Sequence, residues 1–184
     1  MLTKNFIKYL YGCSYPNGTR NNRTVIVTDV DGNEVEGPAR GGSNEFLKRF
    51  TESPATTGGD FWLVLGDGNT PPTLEDYKLE NEVTGLTTLA GDCILNGNGK
   101  IRIYRTYANN TANDISVSEV GLVARVNVNN GNKPVLIARE VLGSKYVIKS
   151  GGGTDVRHRH WVDTALNALY SMFCSSFINK EVAA

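Results

Sequence analysis

The sequence has no charge excess: 19 lysines and arginines are matched by 19 aspartates and glutamates. A protein that gathers nucleic acid does so through a net basic field, so this balance argues against a nucleic-acid partner. Cysteine is scarce. Cys13, Cys93 and Cys174 are too far apart for zinc-site spacing and fit no paired disulfide framework, so they are read as reduced, buried thiols, with a single bridge left open as the alternative. No apolar run approaches the ~20 residues of a membrane-spanning helix. The opening stretch Met1–Leu10 is interrupted by Lys4 and Lys8 and leads to no small-residue cleavage site, so no secretory signal and no membrane partner are expected.

What is there is the composition of a soluble folded domain, with 40% hydrophobic and 21% charged residues over a length of 184, enough to bury a core. Twenty glycines and many asparagines cluster between short β-branched and aromatic runs, the punctuation of a turn-rich β protein. Thr24–Val30 reads as a strand running into a tight turn at Asp31-Gly32. Asp60–Gly66 is near-continuously apolar and too short for a helix, which predicts a central strand buried on both faces. Ile101–Tyr107 alternates polar and apolar side chains as a half-exposed strand does. Ile115–Val126 has period-two alternation, with Gly121 inside it as the mark of a bulge or a close backbone approach. A polar turn over residues 127–133 then leads to Val135–Leu142 as the return of an antiparallel hairpin, and Tyr146–Ile148 reads as a last short strand.

Helices are expected at the periphery. Ser43 caps a short one through Asn44–Phe50, with Phe46, Leu47 and Phe50 on one face. The strongest helical pattern lies at the C-terminal end, where Val162, Ala165, Leu166, Leu169, Tyr170, Phe173 and Phe177 recur at three- and four-residue steps after Asp163. The Gly151-Gly152-Gly153 stretch before it reads as a hinge. Three parts follow: an N-terminal assembly segment (1–23), a β domain (24–150), and a glycine hinge with the C-terminal helix (151–184).

Each motif that could carry chemistry is incomplete. Gly66-Asp67-Gly68 follows a strand as a dinucleotide fingerprint would, but Pro71 stands where the third glycine belongs, and Asp67 places negative charge where pyrophosphate would sit. Asp29-Val30-Asp31-Gly32-Asn33 has the spaced oxygens of a calcium loop, yet Glu34 and Arg40 hold the sixth and twelfth positions, so a hairpin turn explains it better. His158 and His160 would face one way on a strand, but they have no third ligand in view and Arg157 and Arg159 flank or split them. The acid pairs Glu75/Asp76 and Glu80/Glu82 lie in a Pro-led polar segment that reads as a solvated face. No serine sits in a glycine-flanked nucleophile elbow. The expectation is that the protein is not an enzyme and takes no cofactor or metal.

Three segments, taken in order, carry a resemblance. Leu65-Gly66-Asp67-Gly68-Asn69-Thr70-Pro71-Pro72-Thr73-Leu74-Glu75-Asp76-Tyr77-Lys78-Leu79-Glu80 is followed by Ile115–Leu122 with its Ser118-Glu119-Val120-Gly121-Leu122, and then by Leu136–Leu142 with its Ala138-Arg139. A G-x-G-x-T-P turn with D-x-x-L, then S-E-x-G-L, then L-x-A-R, resembles small β-sandwich structural proteins of tailed-bacteriophage virions, over roughly residues 60–150. A family member would more often end in a last strand after the glycine turn, whereas here Arg157–Trp161 leads into a helical pattern.

The resemblance implies a mainly β fold, an antiparallel, jelly-roll-like β-sandwich, with a short N-terminal helix and a C-terminal amphipathic helix added by the residue patterns. It also implies a virion component assembled in the bacterial host cytoplasm, a homo-oligomer whose partners are other virion proteins. The residues expected at assembly contacts are Phe6 and Leu10 near the start and His158, His160, Trp161, Leu166, Leu169, Tyr170, Phe173 and Phe177 near the end. The alternative is a host-surface carbohydrate or receptor-binding module that uses Arg102, Tyr104, Tyr107 or Trp161 as contacts.

Overall fold

A computed structural model describes residues 1–13, 23–39, 61–95, 101–128, 131–151 and 153–154. Over these residues the chain is mainly β, with antiparallel sheets and one short helix. The elements are α1 (Lys4–Cys13), β1 (Arg23–Thr28), β2 (Glu34–Ala39), β3 (Phe61–Gly66), β4 (Leu86–Leu95), β5 (Ile101–Asn109), β6 (Ile115–Val128), β7 (Gly131–Ile148) and β8 (Gly153–Thr154). They pair as a hairpin β1-β2, a three-stranded sheet β3-β6-β7 and a three-stranded sheet β4-β5-β8.

The expected hairpin is present, and its chemistry shows why β1 stops at Thr28. The buried Asp29 carboxylate accepts the amides of Asp31 (3.1 Å) and Asn33 (2.8 Å), and Gly32 takes a φ of 87° that a side chain would resist. The oxygens that suggested a calcium loop therefore hold the turn itself.

The apolar run at β3 packs on both faces, fully buried on one and half-buried on the other. Leu63 and Leu65 enter the main core, while Trp62 and Val64 pack on a second cluster built from Leu79, Val123 and Leu136. Its expected central position is corrected: β6 lies between β3 and β7. The outer carbonyls of β3 are satisfied without a full strand, Leu65 O by the Val83 amide (2.9 Å) and Leu63 O by the Tyr107 hydroxyl (2.6 Å). An edge strand dressed in this way looks as apolar in sequence as a central one.

The β6–β7 hairpin continues to Val128↔Gly131, so most of the polar stretch 127–133, expected as a turn, belongs to the ladder. Ile137 is an extra residue in β7 between the pairs Leu122↔Ala138 and Val123↔Leu136, and Tyr146–Ile148 pairs with Val117–Ile115 as the far end of β7. Gly121 makes the close approach its position suggested. A Cβ there would stand 2.8 Å from side-chain carbons of both Leu136 and Val64.

Residues near both ends of the described stretch are tied to the sheets. Met1–Thr3 hydrogen-bonds along the outer edge of β7, with Thr3 N to Ile137 O at 3.0 Å and Arg139 N to Met1 O at 2.9 Å. The buried Asn5 amide then behaves as a strand neighbour of β1, donating to Thr28 O (2.8 Å) and accepting Thr28 N (2.9 Å). At the other end, Gly151 (φ 65°) donates to Asn109 O, and Gly153 and Thr154 pair with Ala108 and Tyr107. Gly151 and Gly153, expected as parts of a hinge, are therefore both held against β5. The helices expected at 43–50 and 162–177 lie outside the described residues.

Candidate functional site

The richest concentration of polar chemistry lies where the segment 66–82 crosses the β6–β7 sheet. Glu119 comes from β6, and its diagonal neighbour on the same face of the sheet is Arg139 of β7, because Gly121 pairs with Arg139 and Glu119 with Val141. Glu119 is 0% exposed, and its carboxylate accepts four N–H donors: Gly68 N (3.1 Å), Asn81 N (2.9 Å), Glu80 N (3.2 Å) and Arg139 Nε (2.7 Å). Three of these are backbone amides of the crossing segment. A buried carboxylate thus binds a loop much as a bound anion would, with its desolvation offset by convergent donors.

Glycine is required at two of these points. A Cβ on Gly66 would meet Glu119 Cγ at 2.6 Å, and one on Gly68 would meet Glu80 Cβ at 2.5 Å. The Gly66-Asp67-Gly68 pattern that imitates a nucleotide fingerprint therefore serves close approach to a protein carboxylate. Ser118 adds a bond from its hydroxyl to Gly68 O (2.9 Å), and Asn81 Nδ2 donates to Asp67 Oδ1.

Arg139 extends the network outwards. Its Nη1 donates to Asp76 Oδ2 (2.9 Å), and its Nη2 lies 3.5 Å from Glu80 Oε2, buried and without a hydrogen bond among the described residues. Glu80 in turn accepts the amides of Asn69 and Thr70, both at 2.8 Å, and Asp76 accepts the amide (3.0 Å) and hydroxyl (2.8 Å) of Thr73. Beneath this polar layer Leu79 is buried against Val123 and Leu136. The segment is thus fixed by an apolar plug and a charged clasp together.

The titration of these groups follows from their contacts. Burial alone would raise the Asp76 carboxyl, but the hydrogen bonds from Arg139 and Thr73 outweigh it and hold the group below the ordinary carboxylate range. Hydrogen bonds from Thr70, with help from Asn69 and the Arg139 charge, lower Glu80. Burial would lower Arg139, yet its bonds to Asp76 and Glu119 push it above its usual value. Glu82 is raised, by burial first and by the Glu119 charge second. Asp76 and Glu80 therefore stay ionised at neutral pH and serve as anchors; a general acid needs the opposite shift.

This corrects the reading of the acid pairs as a solvated face at Asp76, which is largely withdrawn from solvent and bonds Arg139, while Glu80 stays exposed at 3.5 Å from Arg139 Nη2 and Glu75 stays outside in an exposed ion pair with Lys4 Nζ (3.0 Å). The Glu119–Arg139 pair itself was not singled out from the sequence. The available signal was a carboxylate and a guanidinium inside apolar strands, where unpaired charges are not tolerated.

The expected contact residues fare differently. Phe6 is corrected: its ring is 1% exposed and packs in this chain's own core, which removes it from any surface. Leu10 lies in α1, and its side chain falls outside the described residues. His158, His160, Trp161, Leu166, Leu169, Tyr170, Phe173 and Phe177 lie outside them as well. Tyr107, offered as a receptor contact, is buried, with its hydroxyl on Leu63 O and its pKa pushed up to about 12 by burial. With this geometry in hand, the chain matches no protein-family model, no curated protein and no solved structure.

Proposed function

We propose that the chain is a structural subunit of a tailed-bacteriophage virion, a tail, baseplate, neck, fibre or capsid-decorating component, that acts through protein–protein assembly. Its partners in this reading are other virion proteins and further copies of itself, assembled in the bacterial host cytoplasm. The observation that carries the proposal is that the three segments bearing the resemblance meet at one place. Gly66, Gly68, Asp76, Leu79 and Glu80 of the first, Ser118, Glu119 and Gly121 of the second, and Arg139 of the third make one clasp. Residues used to stiffen a surface segment suit a protein that must present the same face to every neighbour.

In the same reading the two three-stranded sheets are the layers of a sandwich. Tyr107 of β5 shares one apolar cluster with Leu63 and Leu65 of β3, Val117 of β6 and Ile148 of β7, which supports the two sheets facing each other. The receptor-module alternative is weakened, because one of its contact residues, Tyr107, is committed to the interior.

The deciding measurement is mass spectrometry of purified particles of the encoding phage, followed by imaging that locates the chain. The proposal expects a fixed copy number per particle at symmetry-related positions. Absence from particles, together with turnover of a substrate by the isolated protein that a single acid substitution removes without unfolding it, would refute it.

A further inference from the structure

Residues 67–81 form a surface loop closed at its base, where Gly66 bridges Glu82 and the Val83 amide donates to Leu65 O. One apolar plug seats the loop on the sheet, Leu79 against Val123 and Leu136, all three buried. Its polar ties to the rest of the chain are mostly carboxylates. The amides of Gly68, Glu80 and Asn81 end on Glu119 of β6, and Arg139 of β7 bonds Asp76 and stands 3.5 Å from Glu80. On the α1 side Glu75 pairs with Lys4 Nζ. Two further ties do not titrate, Ser118 Oγ to Gly68 O and the Lys4 amide to Leu74 O (2.7 Å). The sheets beneath are held by backbone ladders and by the main apolar cluster, neither of which takes up a proton in acid. Asp29, the other buried acid among the described residues, holds only its own turn at Asp31 and Asn33.

Acid therefore acts differently on two parts of one chain. We infer that residues 67–81 are an acid-released strap, which leaves the β6–β7 sheet when the carboxylates of its clasp are protonated while the sheets themselves stay folded. Protonation of Glu119 weakens an acceptor that three loop amides share with Arg139. With Glu119 and Asp76 neutral, Arg139 is a buried cation stripped of its anions and left facing the Met1 amine. Asp76 and Glu80 are held below the ordinary carboxyl range, so their ties are complete above about pH 4 and fail as pH falls towards the folded values. Glu82 is raised by burial and by the Glu119 charge, so it takes its proton first and relieves a repulsion, which keeps the strap closed until that lower range. Glu140 of β7, also raised by burial, faces the Met1 amine, and on the loop itself Asp67 accepts Asn81 Nδ2 while Lys78 lies over the Tyr77 ring. Release uncovers the seat of Leu79, so an apolar patch on Val123 and Leu136 is hidden at neutral pH and bared in acid.

Amide hydrogen exchange of the full chain from neutral pH down to about pH 3, corrected for the pH dependence of intrinsic exchange, tests it. The amides of Gly68, Glu80 and Asn81 are expected to lose about a hundredfold in protection below about pH 4. Those of β6 from Val120 to Ala124, paired with strands on both sides, should keep theirs. Glu119→Gln replaces one acceptor oxygen by a donor, as protonation does, and should free the same three amides at neutral pH. Asp76→Asn removes one titrating tie without touching those amides. It should lower their protection at neutral pH and make it vary less with pH, and it decides the matter if Glu119→Gln misfolds. Loss of protection in the strap and in β6 at one and the same pH, strap protection unchanged across the whole range, or an Asp76→Asn protein with the wild-type profile would each overturn the inference. The readout needs no particle, so its failure is distinct from absence of the chain from virions.

Discussion

The backbone of Gly66 lies so close to Glu119 that a methyl group on its Cα would stand 2.6 Å from Glu119 Cγ and 2.7 Å from Asn81 O. Neither neighbour has room to yield, because Glu119 is buried and Asn81 O accepts the Asp67 amide. Gly66→Ala is therefore expected to destabilise the fold by about 1–3 kcal/mol, the range for overpacking a filled interior. Urea unfolding would measure it, as a lower midpoint at unchanged slope.

The Glu119–Arg139 pair should behave as a unit. Glu119→Ala removes the acceptor of three loop amides and leaves Arg139 buried with only its outer partners, at an expected loss of about 3–5 kcal/mol. Glu119→Leu combined with Arg139→Met should lose clearly less than the sum of the two single changes. Additive losses in a double-mutant cycle would show that the pair is not coupled.

Acid stability has two opposing contributions. Asp76, Glu80 and Asp114 are held below their ordinary values, so their contribution is complete above the usual carboxyl range of about 4 and fades as pH falls through it towards the folded values. Glu82 and Glu140 are raised by burial, so their ionised forms weaken the fold at neutral pH, and protonation on acidification relieves that strain. Thermal melts taken from pH 7 downwards should rise slightly before they fall. Glu82→Gln should flatten the rise, and Asp76→Asn should make the later fall shallower.

Asn5 joins α1 to β1 by two bonds to one residue, Thr28. Asn5→Leu keeps the branching of the side chain but leaves the part-buried amide and carbonyl of Thr28 without these bonds, at an expected loss of about 1–3 kcal/mol. Removal of residues 1–12 should do more. It uncovers the Ile137 edge of β7 and the core around Phe6, so circular dichroism should show loss of cooperative unfolding in the β body itself.

Much of the fold is legible in the pattern of residues. Period-two alternation and β-branched runs mark β1, β3, β5, β6 and β7, and Asp31-Gly32 marks the first hairpin, because burial by face and positive-φ turns are local properties of a strand and its neighbours. β2 and β4 carry no clear strand pattern. Gly37 and Pro38 interrupt the first and threonine and glycine dilute the second, so their strand state comes from pairing with β1 and β5 rather than from composition.

The clasp was legible in its parts and hidden in its assembly. Gly66, Gly68, Asp76, Glu119 and Arg139 all stand in the three segments that carry the resemblance, but Asp76 and Arg139 are 63 residues apart, and no local pattern says that they touch. By itself the sequence marked the extension of β1, β3, β5, β6 and β7, the turn at Asp31-Gly32 and many of the apolar side chains that leave water. Only the tertiary structure decided that β3 lies at the edge of its sheet, that Phe6 faces inward while Ile7 faces out, and that Asp76, expected in solvent, grips an arginine. Burial demand is written residue by residue, whereas the partner that meets it depends on which distant segments the closing sheet brings within hydrogen-bond reach.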